Sequence, residues 1–152
     1  METGIVGFFK DFGVICTLVL ASFGSSAGIA AAGLAAVGAW KRCYLQNKQA
    51  PFVLVVYIGA PLSQTIYGMI LMNRLIQVID KGPYLGMFGI LGGLGLGLSA
   101  YGQGRIGAAA ADATGETGKG AANFLMALGI IETVALFVMV FSMMALGNIA
   151  KA

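Results

Sequence analysis

Glu132 is the only charged residue between Lys119 and Lys151, in a run long and apolar enough to cross a bilayer. An ionised carboxylate near a bilayer centre costs about 3 kcal/mol or more, so such residues mark ion or substrate paths. A second polar group lies in Ala60-Pro61-Leu62-Ser63-Gln64-Thr65-Ile66-Tyr67. Positions 60, 63, 64 and 67 follow the helical spacing i, i+3, i+4, i+7, which puts a hydroxyl, an amide and a phenol on one face. Pro61 has no N–H and its ring presses on the preceding turn, so carbonyls near Tyr57 to Ala60 are freed to accept from elsewhere. Gln103, in a third apolar stretch, can face the same level.

Oxygens from Glu132, Gln64, Gln103, Ser63 and the freed carbonyl make a shell suited to a hard cation. Thiolate and imidazole are missing from this group, and the chain has no histidine. Such a donor set favours an ion like sodium over a softer metal. A proton alone needs one carboxyl and a partner, which leaves the other oxygens unused, so sodium is preferred and a proton is the alternative cargo. The plainer reading, amides and hydroxyls as interhelical glue, is common in membranes. It loses ground because these groups share a level with the acid. Tyr67 is read as a hydrogen-bond partner of the Glu132 carboxylate.

The rest of the chain must hold these groups in lipid. The sequence is 59% hydrophobic and 10% charged, with a mean hydropathy of +0.89. That composition predicts an all-α, multi-pass integral membrane protein. The 152 residues accommodate four spans of roughly 20 residues or more, with no room for a soluble domain. They are expected at about 11–39, 51–79, 84–112 and 119–147, in a single membrane domain over 1–152. Pro51 suits the first turn of the second span. Asp80-Lys81-Gly82-Pro83 predicts a tight turn, and Thr114-Gly115-Glu116-Thr117-Gly118 a helix-breaking loop. The nine Lys and Arg are scattered along the chain, with only Lys41 and Arg42 adjacent, so no nucleic-acid face is expected. Cys16 is expected to pack and Cys43 to sit in a polar loop; the two make no disulfide framework. The N-terminal stretch lacks a basic leader and reads as the first span. Lys41, Arg42, Lys48, Arg105 and Lys119 on one side, against Lys10, Arg74, Lys81 and Lys151 on the other, favour cytoplasmic hairpin loops and outer termini by a narrow margin.

The chain also repeats itself. Phe23-Gly24-Ser25 and Ala30-Ala31-Ala32 match Tyr101-Gly102-Gln103 and Ala108-Ala109-Ala110 at an offset of 78. The second and fourth spans align at an offset of 68, which sets Gln64-Thr65 opposite Glu132-Thr133. A hairpin at about 11–79 is thus duplicated at about 84–147, with an amide in the first copy where the second has the acid. The first and third spans are rich in small residues at four-residue spacing, Gly24, Gly28 and Ala32 against Gly89, Gly93 and Gly97. Backbones approach closely along such stripes in lipid. These spans are expected inside, with the Leu-, Ile-, Met- and Phe-rich second and fourth facing lipid, and repetition of that wedge by several chains closes a ring.

The doubled hairpin, Pro61-Leu62-Ser63-Gln64 with Tyr67, Tyr101-Gly102-Gln103 and Glu132-Thr133 resemble the proteolipid of V-type rotary ATPases, nearest the four-helix K subunit of bacterial sodium-pumping enzymes. The resemblance implies a non-catalytic rotor-ring subunit in a prokaryotic plasma membrane, with ATP hydrolysed elsewhere and no organic cofactor. It implies Na+ held by Glu132, Gln64, Gln103, Ser63 and the Ala60 carbonyl, with Tyr67 bonded to the acid. Its implied partners are identical copies, a stator subunit supplying an arginine, and a central-stalk subunit at the hairpin loops. Ser63 stands where sodium-binding relatives carry Thr, and Leu62 where many have Gly. Arg74 and Arg105 are read as lying toward helix ends, snorkelling or touching the shaft.

Other signals carry less. Gly102-Gln103-Gly104-Arg105-Ile106-Gly107 fits a dinucleotide fingerprint in letters but follows no strand, and Gly118-Lys119-Gly120 lacks the flanking residues of a phosphate loop. A small four-helix proton-coupled cation antiporter is the alternative reading, although few aromatics surround Glu132 to hold an organic cation. A structural tetraspan scaffold calls for an extracellular domain with paired cysteines, which the sequence lacks.

Overall fold

The computed structural model describes residues 4–82 and 84–149. Its helices are α1 (Ile5–Leu45), α2 (Val53–Gly59), α3 (Ser63–Val78), α4 (Leu85–Thr117) and α5 (Ala121–Ile149), with 3₁₀ turns at Ala60–Leu62 and Ile79–Lys81. The turn at Pro61 joins α2 and α3 into one span, so four helical stretches are long and apolar enough to cross a membrane. The protein is an all-helical integral membrane protein.

The innermost contact is between α1 and α4, which run parallel with backbones touching. A Cβ added at Gly24 would be driven into Gly97, and one at Gly104 into Gly28. Glycine is needed at both levels because no side chain fits between the two main chains. Lipid exposure follows from this placement. Half of the most apolar window of α4 is buried, against 11% of that of α5. Phe137, Phe141 and Met144 on α5 are exposed, as hydrocarbon contact permits.

Two apolar clusters form along the bundle. One gathers Val14, Leu71, Leu75, Val78, Leu96 and Leu146; the other gathers Ala36, Ala39, Leu54, Tyr57, Ala111 and Leu128. Between them, along α3, α4 and α5 alike, lies a thin polar layer.

Several helix ends differ from expectation, for reasons visible at the hairpin-loop end. The stretch from Thr114 to Thr117 is helical, so α4 outlasts its expected end by five residues. Gly115 is buried against Ala39, Thr114 Oγ lies 3.4 Å from the buried Tyr57 hydroxyl, and Arg42 spans Asp112 at 3.1 Å and Glu116 at 2.7 Å. Gly118, at φ 66°, stops the helix by the left-handed cap that glycine alone adopts without penalty. The same contacts extend α1 to Leu45. They bury Cys43 at 3% exposure, where the sequence places it in a polar loop. Pro51 stands two residues before α2 rather than in its first turn. Ile79–Lys81 closes the turn between the hairpins. Pro83 of that turn, and Lys151, lie outside the described residues. With α4 running to Thr117, Arg105 is exposed in the helix interior and not near its end.

Candidate ion-binding site

The polar layer is built first by Pro61. Having no N–H, it leaves the Tyr57 carbonyl without its usual helical donor. That oxygen lies against Gly107, where a Cβ would come within 2.8 Å of it. The backbone tightens into the 3₁₀ turn Ala60–Leu62 and resumes as α3 at Ser63. Ser63 Oγ then sits 3.2 Å from the Ala60 carbonyl oxygen and 3.2 Å from Gln64 Oε1. One hydroxyl hydrogen serves two acceptors, so three oxygens converge with only one donor among them.

Gln64 and Gln103 are both fully buried. Gln64 Nε2 donates to Gln103 Oε1 at 2.9 Å. Gln103 Nε2 donates to the Leu128 carbonyl at 3.1 Å and reaches Glu132 Oε2 at 3.4 Å. The Tyr67 hydroxyl donates to Glu132 Oε1 at 2.9 Å. All six residues singled out in the sequence, Ala60, Ser63, Gln64, Tyr67, Gln103 and Glu132, are therefore joined in one hydrogen-bonded chain across α3, α4 and α5. Each buried amide uses its polar atoms, as burial in low dielectric demands.

The two carboxylate oxygens are not equivalent. Oε1 holds a short bond from Tyr67, whereas Oε2 has one long contact from an amide. Oε2 is the freer acceptor and faces the amide pair. Among the described residues no three His, Cys, Asp or Glu side chains cluster as metal ligands. The site thus has one formal negative charge among neutral oxygens.

Ser99, not singled out in the sequence, belongs to the same layer. Its Oγ donates to the Ile131 carbonyl at 2.9 Å, one helical turn from Gln103. Side chains of α4 therefore bond the α5 backbone at two points in the turn before Glu132, Leu128 and Ile131, and fix the rotation of α5 about its axis. The signal was present in the spacing, since Ser99 and Gln103 are four apart on one face. Thr133, next to the acid, is exposed and bonds its own helix at Ile130, 2.7 Å away. Ser25, which the repeat aligns with Gln103, is 2% exposed, and its hydroxyl has no partner among the described residues.

An apolar groove elsewhere between α4 and α5, lined by Met87, Phe88, Phe137 and Phe141 with Tyr84 and Ser142 as its polar members, offers mostly carbon surface and no carboxylate. The antiporter reading is set aside. Glu132 faces side chains already bonded to it, not an aromatic-lined cavity for an organic cation.

Residues 87–145, most of the second hairpin, match the family of the ATP synthase C subunit. No curated protein matches the chain. Proteolipids of that family are non-catalytic membrane-ring subunits that carry ions. The second hairpin, with Glu132 in it, has the signature of such a proteolipid.

Proposed function

We propose that this chain is an ion-carrying rotor-ring subunit of a V-type ATPase, in which a monovalent cation, Na+ before H+, rides on Glu132. The observation that carries the reading is the hydrogen-bonded chain from Ala60 to Glu132 around a lone acid in a membrane helix. One carboxylate is neutralised by one monovalent cation. A divalent ion would leave a net positive charge in hydrocarbon, and a bare carboxylate a negative one, both expensive.

The geometry supports an exchange at Oε2. An arriving ion takes the carboxylate oxygen that Gln103 holds loosely, and finds the oxygens of Gln64, Ser63 and Ala60 within the same layer. Tyr67 keeps Oε1 fixed throughout. Loaded, the site is neutral and α5, the helix least covered by the rest of the chain, can move through lipid. Emptied, the carboxylate requires a counter-charge, supplied by an arginine of a stator subunit. The other partners in this reading are identical copies closing a ring and a central-stalk subunit at the hairpin loops, with those loops cytoplasmic in a prokaryotic plasma membrane.

The test is carbodiimide modification of Glu132 at fixed pH. Sodium is expected to slow labelling in a saturable way while potassium does not. Equal rates with and without sodium would reject sodium and leave the proton as cargo.

A further inference from the structure

The Ser25 hydroxyl is the one buried side-chain polar group without a hydrogen-bond partner among the described residues. The side chains of Thr17, Ser26, Thr117 and Thr133 each bond a carbonyl three or four residues back in their own helix. Ser25 does not, although it is 2% exposed. A buried hydroxyl left in this way costs stability.

The packing of α1 against the second span shows what it faces. A Cβ at Gly28 would lie 3.2 Å from Pro61 Cβ, and one at Gly68 would lie 2.8 Å from Ala21 Cβ. Both pairs belong to one antiparallel register, and that register sets Ser25 opposite Gln64. The duplication agrees. Ser25 and Gln64 hold the places that Gln103 and Glu132 hold in the second hairpin, where the two side chains meet at 3.4 Å. Serine is shorter than glutamine, so its hydroxyl stops short of the amide.

The two groups are complementary. Gln64 Nε2 carries two hydrogens and donates one to Gln103 Oε1 at 2.9 Å; the other has no acceptor among the described residues. Gln64 Oε1 accepts from Ser63 at 3.2 Å and has a second lone pair for an ion. A cation drawing on that oxygen polarises the whole amide, which makes the spare N–H a stronger donor in a low-dielectric layer. We propose that Ser25 is a positioning residue for ion binding. When the site is loaded, its hydroxyl accepts the second N–H of Gln64, directly or through one buried water, and holds the amide with its oxygen toward the ion. The inference rests on the ion-site reading above. It brings α1 into a polar layer otherwise built from α3, α4 and α5.

Ser25→Ala tests this role through two measurements on the full chain in detergent: the sodium concentration that half-protects Glu132 from carbodiimide, and the melting temperature with and without sodium. Without sodium the variant should melt no lower than the parent, because the change removes a hydroxyl that has no partner in the empty site. Its half-protecting sodium concentration should rise about three- to tenfold, the worth of one neutral hydrogen bond. The rise in melting temperature that sodium brings should shrink with it. Ser26→Ala is the control, since that hydroxyl is exposed and bonded to Phe23 of its own helix, and it should leave both readings unchanged. Unchanged half-protection in Ser25→Ala would overturn the inference. A lower melting temperature without sodium would show that the hydroxyl is already bonded in the empty site, and an equal loss of protection in Ser26→Ala would assign the effect to α1 at large; either overturns it. If sodium fails to protect the parent chain, the sodium reading itself is rejected and this inference falls with it.

Discussion

Tyr67 and Glu132, on helices α3 and α5, meet through a 2.9 Å hydrogen bond, the only side-chain bond that Oε1 of the acid receives among the described residues. The phenol holds the carboxylate against the bundle. It leaves Oε2 as the oxygen open to exchange.

Tyr67→Phe should therefore weaken the site without emptying it. A hydrogen bond to a charged group is worth about 1.5 kcal/mol or somewhat more, which is about tenfold in affinity. The sodium concentration that half-protects Glu132 from carbodiimide is expected to rise by about that factor at constant pH. No change would show that the phenol does not hold the carboxylate.

Gln103→Leu should cost more stability than the loss of its own bonds. It leaves the Gln64 amide, fully buried, without an acceptor for Nε2, a penalty of about 1–3 kcal/mol. The double variant Gln64→Leu with Gln103→Leu should lose less than the sum of the two single changes. Thermal melting of the detergent-solubilised protein, compared across the cycle, checks the coupling.

Ser99→Ala removes one bond to the Ile131 carbonyl and should reduce stability by about 0.5–1.5 kcal/mol. The α5 helix then loses one of its two rotational anchors. Sodium protection of Glu132 is expected to weaken, and Ser99→Thr to restore it in part. A drop in melting temperature with unchanged protection would mark Ser99 as structural only.

Glu132→Gln keeps the shape and an acceptor for Tyr67 but removes the charge. Coupled transport should vanish while the oligomer, read by native mass, persists. Retained pumping by this variant would remove the proposed mechanism.

Gly104→Val and Gly38→Ala should behave as opposites. At Gly104 a side chain is driven into the Gly28 backbone, so the α1–α4 crossing must open and the fold should become protease-sensitive. At Gly38 nothing lies within 4 Å of a new Cβ, and helix propensity favours alanine by about 1 kcal/mol. Limited proteolysis of both variants makes the comparison.

The spans and the polar layer were legible because both rest on local rules. Hydropathy over about 20 residues marks a span, and helical spacing alone puts Ser63, Gln64 and Tyr67 on one side. The end of α4 was not legible. Thr114 to Thr117 reads as a breaker locally, and its helicity depends on Arg42, Tyr57 and Ala39, distant in sequence. Cys43 and Arg105 were misplaced through the same error, since each was assigned from a nearby helix end. Ser99 was passed over because one serine in a glycine-rich stretch resembles any other small packing residue, until its acceptor on α5 is known.

The contact of α1 with α4 through bare main chain has a mechanical consequence. Side chains can change rotamer under load, but two abutting backbones cannot yield without the helices separating. A twisting force applied at the polar end, where Arg42 ties the two helices together, would pass along this stiff spine with little loss. The outer helix that bears the acid, held by side-chain hydrogen bonds and not by abutting main chain, would be the more compliant element.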